Sequence, residues 1–225
     1  MMITLVSLAA SAAPTVAAGY ALGLVRGRRA ARAADCRGCL TDPLTGRFNR
    51  RAVKAAMLAY GLGREPLGAI MIDLDQFKPV NDTFGHEVGD RVLIEVGRRL
   101  DALVPDRGVV GRLGGDEFVV LALGDVDQVR RLAKAVHREL TAPIEIGGLT
   151  LELGASVGLV HVQPEQAGCA LQAADRAMYR AKLAGGGVAE HIDDAKVDDD
   201  ASRPQVRLRD MRGFETTSLG EVRTA

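Results

Sequence analysis

The chain has 225 residues, and its 29 basic and 29 acidic side chains leave a formal net charge of zero. That length suits one domain of ordinary size plus appendages, and the charge balance excludes a protein-wide basic surface for nucleic acid. Three cysteines give no even-numbered disulfide framework, and the absence of tryptophan predicts an aliphatic core.

Residues 3–25 carry no charged side chain. As a helix rising about 1.5 Å per residue they would span roughly 35 Å, enough for a bilayer core. Arg26, Arg28, Arg29 and Arg32 follow at once, and no basic residue precedes the run. The positive-inside rule therefore predicts an uncleaved, single-pass anchor in the cell (inner) membrane at residues 1–25, with the rest of the chain in the cytoplasm. A cleaved signal peptide is the rival reading, but its basic residues belong before the apolar run. Residues 26–40 form a basic juxtamembrane linker, too short for a sensor domain. Cys36 and Cys39 within it have C-x-x-C spacing. No second ligand pair and no preceding strand accompany them, so they read as incidental, with a zinc or a disulfide shared across a dimer as the alternative.

Asp42 to Gly46 (D-P-L-T-G) predicts a turn. A helix follows at 48–60, with Val53, Ala56, Met57 and Tyr60 at helical spacing. The apolar run 67–73 predicts a buried central strand ending in Asp73. Residues 85–104 predict a helix on Val88, Val92, Leu93, Val96, Leu100 and Leu103. Segments 109–113 and 117–123 flank Gly114 and Gly115 and predict a hairpin, since glycines take a tight turn at little cost. A helix at 126–140, strands at 144–146 and 149–162, the second interrupted by Gly154, and a helix at 169–183 complete the domain. The class is α+β, helices on a mostly antiparallel sheet. From Val188 the periodicity fails and acidic residues cluster, so 188–225 reads as a flexible tail.

The chemistry gathers around two acids. Asp73 ends the central strand, where a carboxylate can hold a metal over the sheet. If that strand neighbours the hairpin, Asp73 and Asp116 converge, and together they could hold two Mg²⁺ against a triphosphate, as nucleotidyl transfer requires. Strand alternation sends Asp116 and Glu117 to opposite faces, so the two need not share a role. Residues 76–80 would pass the phosphates and offer backbone N–H groups, that of Phe77 included, with the Lys78 ammonium. Asn81 and Asp90 supply an amide and a carboxylate. A carboxylate accepts from both N1–H and the exocyclic amine of guanine, a donor pair that adenine lacks. Asp75 and Asp82 read as turn or capping carboxylates, His86 as structural, Arg50 and Arg51 as structural or solvated, and the rings of Phe77 and Phe118 as packing.

These blocks resemble the GGDEF family of diguanylate cyclases. Asp42 to Gly46 with Asn49-Arg50-Arg51 is similar to the family's opening motif. Asp73 to Lys78, Asn81-Asp82, Gly85-His86 and Gly89-Asp90 are similar to its second block, and Gly114 to Phe118 is the signature itself. Ala155 to Gly158 and Asp175 to Lys182 resemble its closing blocks, so the likeness covers residues 41–187. It implies a nucleotide-cyclase or polymerase palm-like fold with a ferredoxin-like core. It implies condensation of two GTP into cyclic di-GMP and two pyrophosphates. It implies Mg²⁺, with Mn²⁺ as an alternative, on Asp73, the Leu74 carbonyl and Asp116, with Glu117 as an accessory and Asp116 acting on the attacking 3′-hydroxyl. Phosphate contacts fall to Lys78 and Lys182, guanine to Asn81 and Asp90, and the double attack to a homodimer.

Four positions depart from the family pattern. Gly186 stands where a basic residue is usual, which removes one phosphate contact. That leaves open a second reading, a degenerate GTP- or cyclic-di-GMP-binding regulator without turnover; an interaction module alone leaves the acid spacing unexplained. Pro105 and Gly108 replace the arginine and aspartate of the family's product-inhibition site, so no feedback through it is expected. Arg47 replaces a commonly apolar residue.

Overall fold

The computed structural model describes residues 40–191. The run Leu67–Asp75 forms strand β1, buried through Leu74. Alternation splits its side chains between two cores: Leu67, Ala69 and Met71 face one, and Ile70, Ile72 and Leu74 face the other. Strands β2 (Val109–Gly114) and β3 (Glu117–Leu123) form the expected hairpin, β4 (Ile144–Ile146) and β5 (Leu149–Leu151) a separate pair, and β6 (Gly154–Val162) and β7 (Gly187–Glu190) complete the set. The main sheet runs β2-β3-β1-β6-β7. Every pairing in it is antiparallel except β6 with β7.

The helices are α1 (Arg50–Gly61), α2 (Phe77–Phe84), α3 (His86–Leu103), α4 (Val126–Leu140) and α5 (Ala170–Leu183). Helices α1 and α5 cover the face of Ala69 and Met71, through Val53, Met57, Tyr60, Leu171, Ala174 and Met178. On the opposite face α3 brings Val92, Val96 and Leu100, and α4 brings Val129, Ala133, Val136 and Leu140, each set at helical spacing. Asn49 caps α1 by accepting from the Ala52 N–H, and Asp125 with Gln128 forms a capping box on α4. Helix α5 sits directly on β6 at Gly158, where a Cβ would lie 2.0 Å from the Met178 nitrogen. The architecture is the α+β, antiparallel-dominated palm-like fold that the resemblance implied.

Four elements differ from expectation. Strand β1 runs two residues past Asp73, to Asp75. Residues 76–80, expected to pass the phosphates, lead into and belong to helix α2 (Phe77–Phe84), whose turn into the helix is made by Gln76 at φ 59°. Pro79 is accommodated because it lies in the first turn, where its missing N–H has no intrahelical acceptor to lose. The strand expected at 149–162 is two strands parted at residues 152–153. Gly187–Glu190, at the edge of the expected tail, instead pairs parallel with β6. The expected anchor (1–25), the rest of the linker with Cys36 and Cys39, and the tail from residue 192 lie outside the described residues. Among the described residues no helix is long and apolar enough to cross a membrane.

Candidate active site

Pairing of β1 with β3 sets Asp73 directly opposite Glu117. Asp116 lies between β2 and β3, in the turn next to Glu117. Asp116 acts electrostatically on both Asp73 and Glu117, so the turn gathers three carboxylates at one corner. Strand alternation had separated Asp116 from Glu117. In the structure Asp116 belongs to the turn rather than to the pleat, and its charge reaches both Asp73 and Glu117.

The corner is short of positive charge. Burial pushes the Asp73 carboxyl above the ordinary range, opposed by the hydrogen bond from Lys182 and reinforced by Asp116 and Asp75. Lys182 Nζ donates to Asp73 Oδ1 at 2.6 Å. Burial works against the Lys182 charge, but the bond to Asp73 and the surrounding acids outweigh it and raise its pKa. One ammonium therefore steadies itself without bringing Asp73 down. Burial likewise raises Glu117, against the pull of Arg50, whose Nη2 stands 3.8 Å from Glu117 Oε2.

The signature turn is braced from behind. Arg112 Nε and Nη2 donate to the Gly115 carbonyl at 3.0 and 2.8 Å, and its Nη1 donates to Asp42 Oδ1 at 3.0 Å. Asp42 also accepts from the Thr45 N–H at 2.9 Å and the Thr45 hydroxyl at 2.8 Å. Burial works against its charge, yet these hydrogen bonds and the Arg112 guanidinium hold Asp42 below the usual carboxylate range. Gly115 takes φ 52°, a left-handed turn conformation. Arg50 fixes the other side, donating from Nε and Nη2 to the Leu113 carbonyl at 3.2 and 3.0 Å, the structural role expected of it. Sequence reading gave Asp42 only a turn. An arginine two residues before the paired glycines was the signal for its partner.

The residues expected to meet a nucleotide lie on α2 and α3. Helix α2 starts straight after β1, so the first-turn N–H groups of Phe77 and Lys78 lack intrahelical acceptors. Lys78 and Asp90 are exposed, and Asn81 is half-buried. The Phe77 ring is buried, as packing requires. The Asn81 side chain lies against Gly89, where a Cβ would fall 1.9 Å from its Oδ1. Leu74 puts its side chain into the core, so only its backbone is available to the site.

Asp75 caps nothing; as the last residue of β1 it accepts from Ser156 Oγ at 2.8 Å. Asp82 lies within α2, and His86 is exposed at the first position of α3. Arg47 reaches across to Asp101 on α3 and donates from Nε to the Thr45 carbonyl at 3.1 Å, which gives its departure from the apolar pattern a partner. Gly108 has no room for a side chain, since a Cβ would lie 2.5 Å from Val104 Cγ1. The neighbouring Arg107 is paired with Glu65 at 2.7 Å. Among the described residues no three His, Cys, Asp or Glu side chains stand ready to hold a metal ion together.

Residues 39–187 match the protein family described as diguanylate cyclase, GGDEF domain. A diguanylate cyclase of Escherichia coli K12, DgcP, is 42% identical over 167 residues, covering 71% of this chain and 49% of that protein. The chain thus spans about half the length of that relative. An uncharacterised 19.3 kDa protein of Streptomyces ambofaciens is 43% identical over 147 residues, 63% of this chain and 77% of that one. Among solved structures, a sensory box/GGDEF family protein from Caulobacter crescentus superposes with a TM-score of 0.59 at 38% identity, covering 65% of this chain and 100% of that one.

Proposed function

Because this chain belongs to the diguanylate cyclase GGDEF-domain family, we propose that it condenses two GTP into cyclic di-GMP and releases two pyrophosphates. The observation that carries the proposal is the acid corner, with Asp73 paired across strands to Glu117 and Asp116 in the adjoining turn. Its donors, two or three carboxylates and the Leu74 carbonyl, are hard oxygens suited to Mg²⁺, with Mn²⁺ as an alternative. The charge deficit supports the fit: burial and mutual repulsion hold Asp73 and Glu117 above the ordinary carboxylate range, and Lys182 beside Asp73 and Arg50 beside Glu117 do not offset them. When bound, the metal neutralises charge on the transferring phosphate.

The chain's own residues then have separable tasks. Asn81 and Asp90 orient guanine, while Lys78 and Lys182 hold phosphate oxygens. Asp116 draws on the proton of the 3′-hydroxyl of one GTP as that oxygen bonds to the α-phosphorus of the other. The α–β bridging bond breaks, and pyrophosphate leaves with its electron pair. One domain carries one GTP, so two copies must face each other, and activity belongs to a homodimer. The uncharged run at residues 3–25 and the arginines behind it support a membrane anchor with the domain on the cytoplasmic side.

The test is pyrophosphate release by the purified chain with GTP and Mg²⁺ over a range of protein concentration. The expected result is two pyrophosphates per cyclic di-GMP, with specific activity rising with concentration. Retention of labelled GTP without release selects the non-catalytic regulator, the reading that Gly186 supports. Indifference to GTP selects an interaction module.

A further inference from the structure

We propose that Asp75 is a specificity-determining residue that, in this chain, weakens the hold on the substrate's phosphates; the inference rests on the reading of this site as a nucleotide triphosphate site. Asp75 stands two residues beyond Asp73 on β1 and so points to the same face, toward α5. Its Oδ1 accepts from Ser156 Oγ at 2.8 Å. Among the described residues no side chain hydrogen-bonds or ion-pairs with its Oδ2. That oxygen lies between Gly154, its cross-strand neighbour, and position 186, where Cβ atoms would fall 2.9 and 3.1 Å from it.

A basic side chain at 186 would therefore start directly over the carboxylate. Gly186 offers none, and its φ of 106° suits glycine. The nearest ammonium, that of Lys182, is bonded to Asp73. Among the described residues no cation hydrogen-bonds or ion-pairs with Asp75, which acts on Lys182 and Asp73 only through its field. On the proposed reading, in which Lys182 takes phosphate oxygens, a bound triphosphate would share its cation's surroundings with the Asp75 carboxylate. Like charges so placed repel, and salt screens the repulsion. The arrangement makes Asp75 a brake on phosphate affinity, which a basic residue at 186 would have released.

The experiment measures the dissociation constants of GTP and of guanosine, with Mg²⁺, for the full chain and its Asp75→Asn and Asp75→Glu variants. Asparagine keeps the acceptor for Ser156, and glutamate keeps the charge. The expected result is GTP binding about five-fold tighter in Asp75→Asn at low ionic strength. The gain should shrink in high salt, Asp75→Glu should stay near wild type, and guanosine affinity should not move. Equal or weaker GTP binding by Asp75→Asn overturns the proposal, as does a gain that salt leaves unchanged or that guanosine shares. Absence of GTP binding in both proteins overturns it together with the functional reading. Tighter GTP binding by Asp75→Asn alongside a wild type that makes no cyclic product leaves this inference standing and removes the cyclase reading.

Discussion

Lys182 Nζ, on the last turn of α5, lies 2.6 Å from Asp73 Oδ1, on the central strand. The ammonium takes the carboxylate that the proposed function gives to a metal, so the two cations share one ligand. A buried acid whose pKa is raised costs folding stability when ionised. Removing its charge in Asp73→Asn should leave the metal-free protein as stable as wild type, or more stable by about 1 kcal/mol. The same change should lower activity by more than about 100-fold. Thermal unfolding with and without Mg²⁺ checks the pair: Mg²⁺ should raise the midpoint of the wild type and leave that of Asp73→Asn in place.

Position 89 tests the guanine side. A Cβ there cannot share space with Asn81 Oδ1, so Gly89→Ala should turn the amide away from its place. The expected outcome is a KM for GTP raised about ten-fold and a weakened preference for GTP over ATP, with little change in kcat. Steady-state kinetics with both nucleotides checks it. A lower kcat at unchanged KM would place Asn81 elsewhere in the mechanism.

Arg112 joins the opening motif to the signature turn, through Asp42 on one side and the Gly115 carbonyl on the other. Arg112→Ala should cost about 2 kcal/mol of stability, because the half-buried Asp42 loses its cation. It should also lower kcat about ten-fold or more, because the turn holding Asp116 is no longer fixed. Arg112→Lys should recover part of the stability and little of the rate, since an ammonium cannot reproduce the forked contact.

Acid sensitivity should arise partly outside the acid corner. Hydrogen bonds from Arg98, opposed by burial and aided by Arg99, hold Glu95 at about 2, against an ordinary value of 4.5. A depressed carboxyl stabilises the fold above its unfolded pKa and loses that contribution as pH falls through its folded one. The stability that Glu95 contributes is thus complete above about pH 4.5 and lost toward about pH 2. Glu95→Gln should flatten the acid limb of the unfolding profile in that window. Arg99 also donates to the Glu139, Ala142 and Pro143 carbonyls at 2.8, 2.9 and 2.7 Å, which ties α3 to the end of α4.

What the sequence revealed follows from the range of the interactions involved. Strand β1 was legible as an unbroken apolar run, and α3 and α4 as apolar positions recurring every three or four residues. The paired glycines marked the hairpin because a left-handed turn calls for them. Helix α2 was hidden by its short length, polar composition and Pro79. Strand β7 was hidden because four residues paired parallel to a distant strand carry no local pattern. Asp73, Asp116 and Glu117 were found as residues, while their meeting depended on register across β1 and β3. The Asp101 partner of Arg47 and the opening of Asp75 toward Gly186 join residues far apart in the chain, so spacing could not show them.

The most direct test of the central claim is product identity. The purified chain would be incubated with GTP and Mg²⁺ at concentrations that favour dimers, and the products read by mass spectrometry beside those of Asp116→Ala. The account predicts cyclic di-GMP and pyrophosphate from the wild type and neither from the variant. Bound GTP left intact by the wild type at every concentration, or equal product from both proteins, would contradict it.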